Sequence, residues 1–272
     1  MLVEYDGTRF AGFQRQAPDK GPTVQGALEA ALARVAGAAV GIAAAGRTDA
    51  GVHAAAQVVS FAPVGRLDAA TWGRAANAYL PGDVGIRAAA AVADDFHARY
   101  SALSRSYRYR VFHDPAPAPL RERYALRMAR PLDVAAMDRA AARLLGEHDF
   151  GAFGASPHGA SPHGAGAHTR RVMLAARCRR VAAGADGTDA TGDTGDDEVT
   201  CEFTANAFLT GMVRRLVGTL LLVGAGRLTE ERFAAILAAG VPQHPGAAVA
   251  ACGLCLVGVS YPPGAVEWKR VG

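Results

Sequence analysis

Residues Ala45–His53 read Ala-Gly-Arg-Thr-Asp-Ala-Gly-Val-His and separate two apolar stretches of the chain. The stretch before them, 40–45, is short, and His53–Phe61 after them reads as a strand. Glycines at both ends allow a tight backbone with positive φ and close approach by a bulky ligand. We interpret 46–51 as a loop that presents functional side chains. The alternative is an ordinary turn built on Asp-Ala-Gly.

The loop offers one carboxylate and one guanidinium. If the backbone is locally extended, Arg47 and Asp49 fall on the same side. A single carboxylate with no second acid close in sequence suits a nucleophile or a lone base better than the paired carboxylates of a glycosidase. Asp49 is therefore the candidate catalytic residue, with Arg47 beside it.

Strands and helices alternate on both sides of this loop, which predicts an α/β (α+β) fold of two halves, 1–112 and 113–272, joined through the proline-rich stretch 113–119. The first half contains the predicted strands Leu2–Tyr5, His53–Phe61, Val84–Val92 and Ser104–His113, with helices Thr23–Val35 and Ala69–Leu80. The second half contains the predicted helices Asp133–Leu145, Phe208–Val223 and Thr229–Ala239, with strands Arg171–Val181, Val199–Ala205 and Leu254–Tyr261. Glycine-rich segments 154–168 and 182–198 are expected to be surface loops.

Arginine and tyrosine are interleaved between Arg99 and Arg130. Guanidinium groups bind phosphate and aromatic faces stack on unpaired bases, a combination typical of RNA binding. Strand alternation places Tyr107 and Tyr109 on one face, which is either a cleft or the core. Further along, Arg214 lies among apolar residues, where an arginine is costly unless a carboxylate or phosphate meets it. One of Arg214 and its neighbour Arg215 is expected to extend to the surface, and the other is a candidate partner of Asp49 in one ion pair.

Composition excludes several classes of protein. Half of the 272 residues are apolar, which rules out a disordered chain, and the net charge of +4 permits nucleic acid without demanding it. Four cysteines, no signal peptide and no apolar run of membrane-spanning length indicate a cytoplasmic protein. His158, His163 and His168 have no rigid scaffold for a metal, and Cys252 and Cys255 are better explained by core packing.

Several motifs occur in order along nearly the full length: Glu4–Thr8, Gly12–Gln16, Thr23–Gln25, Ala45–His53, Asn77–Asp83, Asp94–Arg99, Tyr107–Tyr109, Gly146–Phe150 and Asn206–Gly218. In these motifs the chain resembles bacterial tRNA pseudouridine(38-40) synthases of the TruA family. The resemblance implies a pseudouridine synthase fold of two similar α/β halves around a central cleft. The segments around 154–168 and 182–198 are longer than is typical of the family.

The resemblance also implies isomerisation of uridine to pseudouridine at positions 38, 39 and 40 of the tRNA anticodon arm, without metal or cofactor. It assigns the nucleophile to Asp49 and extrusion of the uridine to Arg47. It assigns stacking on the target base to Tyr107 and pairing with the aspartate to Arg214. Family members act as homodimers. The alternatives are an RNA-binding or chaperone-like protein that has lost catalysis, and a pseudouridine synthase acting at other tRNA or ribosomal positions.

Overall fold

The computed structural model describes residues 1–154, 169–181, 198–240 and 246–271. Over these residues the chain has a mixed α/β fold, as predicted, with eleven strands and five α-helices. The strands are β1 (Leu2–Tyr5), β2 (Ala43–Ala44), β3 (His53–Ser60), β4 (Val84–Ala89), β5 (Ser104–His113), β6 (Leu126–Met128), β7 (Gly146–Asp149), β8 (Arg170–Val181), β9 (Glu198–Ala205), β10 (Leu254–Ser260) and β11 (Lys269–Arg270). The helices are α1 (Val24–Ala36), α2 (Ala69–Asn77), α3 (Val134–Ala142), α4 (Met212–Gly224) and α5 (Glu230–Ala239).

The chain forms two compact units. The first comprises Met1–Arg105 with Cys255–Gly272, and the second comprises Ser106–Leu254. The sequence predicted a division at 112/113 and left the last strand in the second half. In the structure β10 pairs in parallel with β3, with Cys255 opposite His53, and so belongs to the first unit. Parallel strands need a long crossover connection, and here the second unit supplies it.

The sheet of the first unit has the order β11-β4-β1-β3-β10, and β2 pairs with β3. Its central strand β1 is antiparallel to both neighbours, with Val3 opposite Gln57 on one side and Ile86 on the other. Strand alternation turns Val3 and Tyr5 into the core, where they are 0% and 3% exposed. Strand β1 thereby carries a tyrosine hydroxyl into the interior.

Side-chain caps define both helices of the first unit. Thr23 accepts a hydrogen bond from the N–H of Gly26 at the start of α1, and Asp68 accepts one from Thr71 at the start of α2. Helix α1 ends at Gly37, which adopts a left-handed φ of 69°. Both helices predicted for this unit are present: α1 lies within one residue of its predicted bounds, and α2 ends at Asn77 rather than Leu80.

The second unit contains the strand order β5-β9-β8-β7, with β6 parallel to β5. Strands β8 and β9 form a long antiparallel ladder from Met173 opposite Ala205 to Val181 opposite Glu198. Strand β5 is joined to β9 by ion pairs as well, because Arg108 bonds Glu202 at 2.9 Å and Arg110 bonds Glu198 at 2.6 Å. These arginines are thus held by carboxylates of the same unit.

Three sequence expectations need correction. Helix α4 begins at Met212 rather than Phe208, because Gly211 takes a left-handed φ of 69° that interrupts the helical backbone. Gly154, expected in a surface loop, is buried against Leu209, and Glu198, expected in the other loop, is buried in β9. The rest of those two segments, 155–168 and 182–197, lies outside the described residues. In the described part of the chain, no helix is long and apolar enough to cross a membrane.

Helix α4 makes a close backbone contact with the segment that follows α5 in sequence. A Cβ added at Gly218 would lie 2.1 Å from the carbonyl oxygen of Ala247, and one added at Gly246 would lie 2.5 Å from the backbone of Gly218. Both positions therefore require glycine for steric reasons. The contact holds residues 246–249 against the helix that carries Arg214.

We expect Gly218→Ala to destabilise the protein by about 1–3 kcal/mol, because the new methyl group overpacks the contact. Helix propensity alone predicts the opposite sign, a gain of about 1 kcal/mol. Thermal or urea unfolding measures the difference. Gly85→Ala is the matched control, since nothing lies within 4 Å of its added Cβ. A Gly218→Ala variant as stable as the parent would contradict the close approach.

Candidate active site

Asp49 lies in the loop between β2 and β3. It is half-buried, whereas Arg47 is exposed and Thr48 between them is buried at 7% exposure. The carbonyl oxygen of Asp49 accepts a hydrogen bond from Val52 at 3.2 Å, which closes a turn. Gly51 within this turn has a φ of 75°, a conformation that favours glycine. The positive φ expected for this loop is therefore confirmed at Gly51. Because Asp49 is only half-buried, part of its side chain remains accessible to solvent.

A neighbouring segment, 10–13, holds the loop from one side. The N–H of Phe13 donates to the carbonyl oxygen of Thr48 at 3.0 Å, and the N–H of Gly51 donates to Phe10 at 3.3 Å. Gly12 has a φ of 105°, and a Cβ there would lie 2.9 Å from the carbonyl oxygen of Thr48. A glycine at residue 12 is thus part of the construction of the Asp49 loop.

Buried polar side chains hold the loop from below. The Tyr5 hydroxyl and Thr48 Oγ1 are 2.8 Å apart, and Gln57 Nε2 donates to the carbonyl oxygen of Gly46 at 2.8 Å. Gln57 is fully buried. Burial raises the pKa of Tyr5 to about 12, so the hydroxyl keeps its proton at neutral pH. Strands β1 and β3 therefore fix the backbone on either side of Arg47.

Arg105 holds the start of the loop. Its side chain is buried, and Nε and Nη2 donate to the carbonyl oxygen of Ala45 at 3.1 and 2.9 Å. Nη1 donates to Ala102 at 3.1 Å, and Nη2 also donates to Arg99. A guanidinium has five donors in a fixed plane, which lets one side chain bond several carbonyls at once. Arg105 thereby joins the residue before the loop to the turn 97–102.

Gly7 holds the other end of the loop. A Cβ at this position would lie 2.0 Å from the carbonyl oxygen of Val52, so only glycine fits. Its N–H donates to Nδ1 of His53 at 3.1 Å, and His53 is the first residue of β3. Backbone or buried side-chain contacts therefore constrain the loop at both ends, which favours a single geometry for the carboxylate.

Tyr107 and Tyr109 belong to the second unit and face its interior. They are 7% and 0% exposed, while the alternating residues Arg108 and Arg110 reach glutamates of β9. The predicted alternation is confirmed. Tyr107 packs edge-on against Phe208, with ring centroids 5.1 Å apart and an interplanar angle of 85°. This contact fixes the orientation of the Tyr107 ring.

Arg214 lies on the first turn of α4 in the same unit. It is half-buried, and its Nε donates to the carbonyl oxygen of Val249 at 2.7 Å. The hydroxyl of Tyr109 donates to the next carbonyl, that of Ala250, at 2.8 Å. Burial raises the pKa of Tyr109, and the nearby Arg214 opposes that rise. Consecutive carbonyls thus position an arginine and a tyrosine beside each other.

The structure places the predicted site residues as two groups. Arg47 and Asp49 share one loop in the first unit, and Tyr107 and Arg214 belong to the second. Sequence reasoning missed the residues that position them: Tyr5, Gln57, Arg105, Tyr109 and Phe208. Gln57 could have been found from the sequence, because it is a polar residue inside the mostly apolar predicted strand 53–61. The ion pair between Asp49 and Arg214 stays a prediction.

No group of three metal-ligating side chains is found in the ranges that the structure describes. The histidine repeat, 158–168, lies outside those ranges. Cys252 and Cys255, for which core packing was expected, are half-buried and form no disulfide, and burial raises the pKa of the Cys252 thiol.

A family model described as tRNA pseudouridine synthase matches residues 1–101 and 140–262. The chain therefore belongs to the tRNA pseudouridine synthase family, as its motifs indicated. Arg47, Asp49 and Arg214 lie in the matched ranges, and Tyr107 lies in the stretch between them.

Similar proteins carry a more particular name, tRNA pseudouridine synthase A. The protein of that name from Roseiflexus castenholzii is 44% identical over 262 residues, covering 96% of this chain and 90% of the relative. The one from Moorella thermoacetica is 41% identical over 261 residues, covering 96% and 98%. The one from Methylobacterium radiotolerans is 41% identical over 267 residues, covering 97% and 98%.

We expect Arg105→Lys to loosen the Asp49 loop selectively, because an ammonium group cannot replace the planar set of bonds to Ala45, Ala102 and Arg99. Amide hydrogen exchange measured by mass spectrometry should become about 10-fold faster or more in 45–52, for a loss of about 1.4 kcal/mol. Exchange in α2 should be unchanged. Arg180→Lys is the control, since its guanidinium bonds the carbonyl oxygen of Leu132 in the other unit. Uniformly faster exchange throughout the first unit would show general destabilisation instead.

Proposed function

We propose that this protein isomerises uridine to pseudouridine at positions 38, 39 and 40 in the anticodon arm of tRNA, the reaction of EC 5.4.99.12. The observation that carries the proposal is membership of the tRNA pseudouridine synthase family over 1–101 and 140–262. The intact Gly46–Gly51 loop, with its carboxylate partly accessible, supports catalysis rather than RNA binding alone. Isomerisation conserves all atoms and the oxidation state of the uridine, so we propose that it proceeds without cofactor or metal.

Asp49 is the nucleophile in this proposal. The glycosidic bond must break, the base must turn while it is held, and a carbon–carbon bond must form, so water has to be excluded. A transient covalent bond to Asp49, at the ribose or at the base ring, would divide the exchange into easier steps. The anchoring of the loop by Tyr5, Gln57 and Arg105 supports this role, because a nucleophile must be held close to its attack geometry.

Arg47 is assigned to extrusion of the target uridine from the stem. Its side chain is exposed, and within the described ranges no ion pair engages its guanidinium. A guanidinium available to solvent suits a phosphate or an unstacked base. Since Thr48 is buried immediately after it, Arg47 extends from a rigid base rather than from a flexible chain.

Tyr107 is assigned to stacking on the target base and to proton transfer, and Arg214 to pairing with the Asp49 carboxylate. The edge-on contact with Phe208 supports a fixed aromatic face at Tyr107. The bond from Arg214 Nε to the carbonyl oxygen of Val249 orients the guanidinium group, whose planar set of donors suits a carboxylate. We further propose that the protein acts as a cytoplasmic homodimer, as the family resemblance implies.

Asp49→Ala should abolish pseudouridine formation while folding and tRNA binding stay largely intact, because the substitution removes only the nucleophile. Carbodiimide labelling with primer extension on an unmodified tRNA transcript measures the product, and unfolding and binding assays serve as controls. Appreciable residual pseudouridine at 38–40 would refute the assignment. The same mapping on tRNA and ribosomal RNA from a strain lacking the gene tests the alternatives: loss at other positions indicates a different specificity, and no loss in either RNA indicates a non-catalytic RNA-binding protein.

Tyr107→Phe should bind tRNA as the parent does but turn over about 100-fold more slowly or worse, because the aromatic face is kept and the proton-transferring hydroxyl is lost. Tyr107→Leu should lose affinity as well, since it also removes the stacking face. Single-turnover kinetics and equilibrium binding separate the two effects. A Tyr107→Phe variant with the parent's rate would restrict Tyr107 to stacking.

A further inference from the structure

Tyr100 is the most exposed of the large hydrophobic side chains that the structure describes, at 78%. A single exposed tyrosine is common on protein surfaces and has no meaning by itself. Tyr100 differs because its turn is rigidly held and because the guanidinium group of Arg99 lies beside its ring. The family match ends at residue 101 and resumes at 140, so Tyr100 lies at the limit of the matched range.

The ring of Tyr100 is positioned by its own turn. It lies against the imidazole of His97, with ring centroids 4.4 Å apart and an interplanar angle of 35°. Nδ1 of His97 accepts hydrogen bonds from the N–H groups of Arg99 and Tyr100 at 3.1 and 3.4 Å. The turn is closed by Ser101, whose hydroxyl accepts from the N–H of His97. These contacts therefore fix the orientation of the Tyr100 ring in the absence of a ligand.

The turn is also fixed to the body of the first unit. Ala98 at its centre is fully buried, its N–H donates to Ser60 Oγ at 3.0 Å, and its carbonyl accepts from the Tyr261 hydroxyl at 2.7 Å. Strands β3 and β10 end at or beside these partners. Little conformational freedom remains to be lost at this turn on binding, which favours affinity.

Arg105 relates the turn to the Asp49 loop. A single nitrogen, Nη2, donates both to the carbonyl oxygen of Arg99 and to that of Ala45. The residue before Tyr100 and the residue before Gly46 are therefore bonded to one atom. The turn that carries Tyr100 and the start of the Asp49 loop are therefore neighbours in the first unit.

The surroundings of the ring are basic. The guanidinium carbon of Arg99 lies 5.7 Å from the Tyr100 centroid, and Arg99 is exposed. In the described part of the chain no ion pair holds Arg99 or Arg47. A guanidinium group without an ion pair beside an exposed aromatic ring suits a phosphodiester chain with an unpaired base, and its charge opposes contact of this surface with the same surface of a second copy.

We propose that Tyr100 is a stacking site for an unpaired base of the bound tRNA, outside the nucleotide that Asp49 modifies, with Arg99 contacting the adjacent phosphate. The site rests on the proposed function, because it takes tRNA as the ligand. It contributes to affinity and to the placement of the strand, and it takes no part in the chemical step.

Equilibrium binding of a tRNA transcript tests the stacking in the Asp49→Ala background, where turnover does not interfere. Tyr100→Ala should weaken binding about 10-fold, Tyr100→Leu equally, and Tyr100→Phe should stay within about 2-fold of the parent, because stacking needs a π-face and not merely apolar area. Leu120→Ala, which alters a side chain 77% exposed, should bind like the parent.

Salt dependence separates the two contacts. Tyr100→Ala should leave the slope of log affinity against log salt unchanged, whereas Arg99→Gln should reduce its magnitude by about 1. Normal binding by Tyr100→Ala, or rescue by Tyr100→Leu, would overturn the stacking site and leave the proposed function untouched. A change of molar mass for Tyr100→Ala in light scattering would assign the ring to a contact between copies and also overturn it. Failure of the parent to bind tRNA would remove the proposed function, and the stacking site with it.

Discussion

Hydrogen bonds from buried side chains to backbone carbonyls hold the Asp49 loop, and the geometry of the candidate active site depends on them. Arg105 bonds the carbonyl before Gly46, Gln57 bonds that of Gly46 itself, and Phe13 bonds that of Thr48 through its backbone. A buried donor or acceptor without a partner costs about 1–3 kcal/mol, so each of these contacts excludes loop conformations that would break it. The loop needs no regular secondary structure to be rigid.

The second unit also contains side chains that donate hydrogen bonds to backbone carbonyls. Arg214 and Tyr109 bond the carbonyls of Val249 and Ala250, and the close contact of Gly218 with Ala247 brings that segment to α4. In both units a cationic or phenolic side chain is oriented by an irregular segment distant in sequence. The orientation of these polar side chains is fixed by hydrogen bonds to backbone that is itself packed against the protein. Catalysis requires such precise positioning of side chains.

Local patterns in the sequence were sufficient for much of the fold. Strands β1 and β3 are largely apolar, β5 alternates tyrosine with arginine, and the helices capped by Thr23 and Asp68 have capping side chains whose effect is local. The loop with Asp49 was also recognisable, because its glycines and its lone carboxylate are adjacent in sequence. The partners of Arg105 and Gln57 were not, since Ala45 is 60 residues from Arg105 and such contacts depend on the sheet order. Strand β7, with the sequence Gly-Glu-His-Asp, shows no alternation and was missed for that reason.

The parallel pairing of β10 with β3 has a consequence for synthesis of the protein on the ribosome. When residue 254 has been made, every residue assigned to catalysis has been made, yet β3 still lacks the neighbour that Cys255 and Leu256 provide. The Tyr261 hydroxyl that bonds the turn carrying Tyr100 is also still absent. Strand β3 therefore has an open edge, close in sequence to the Asp49 loop, until residues 255–261 have been made.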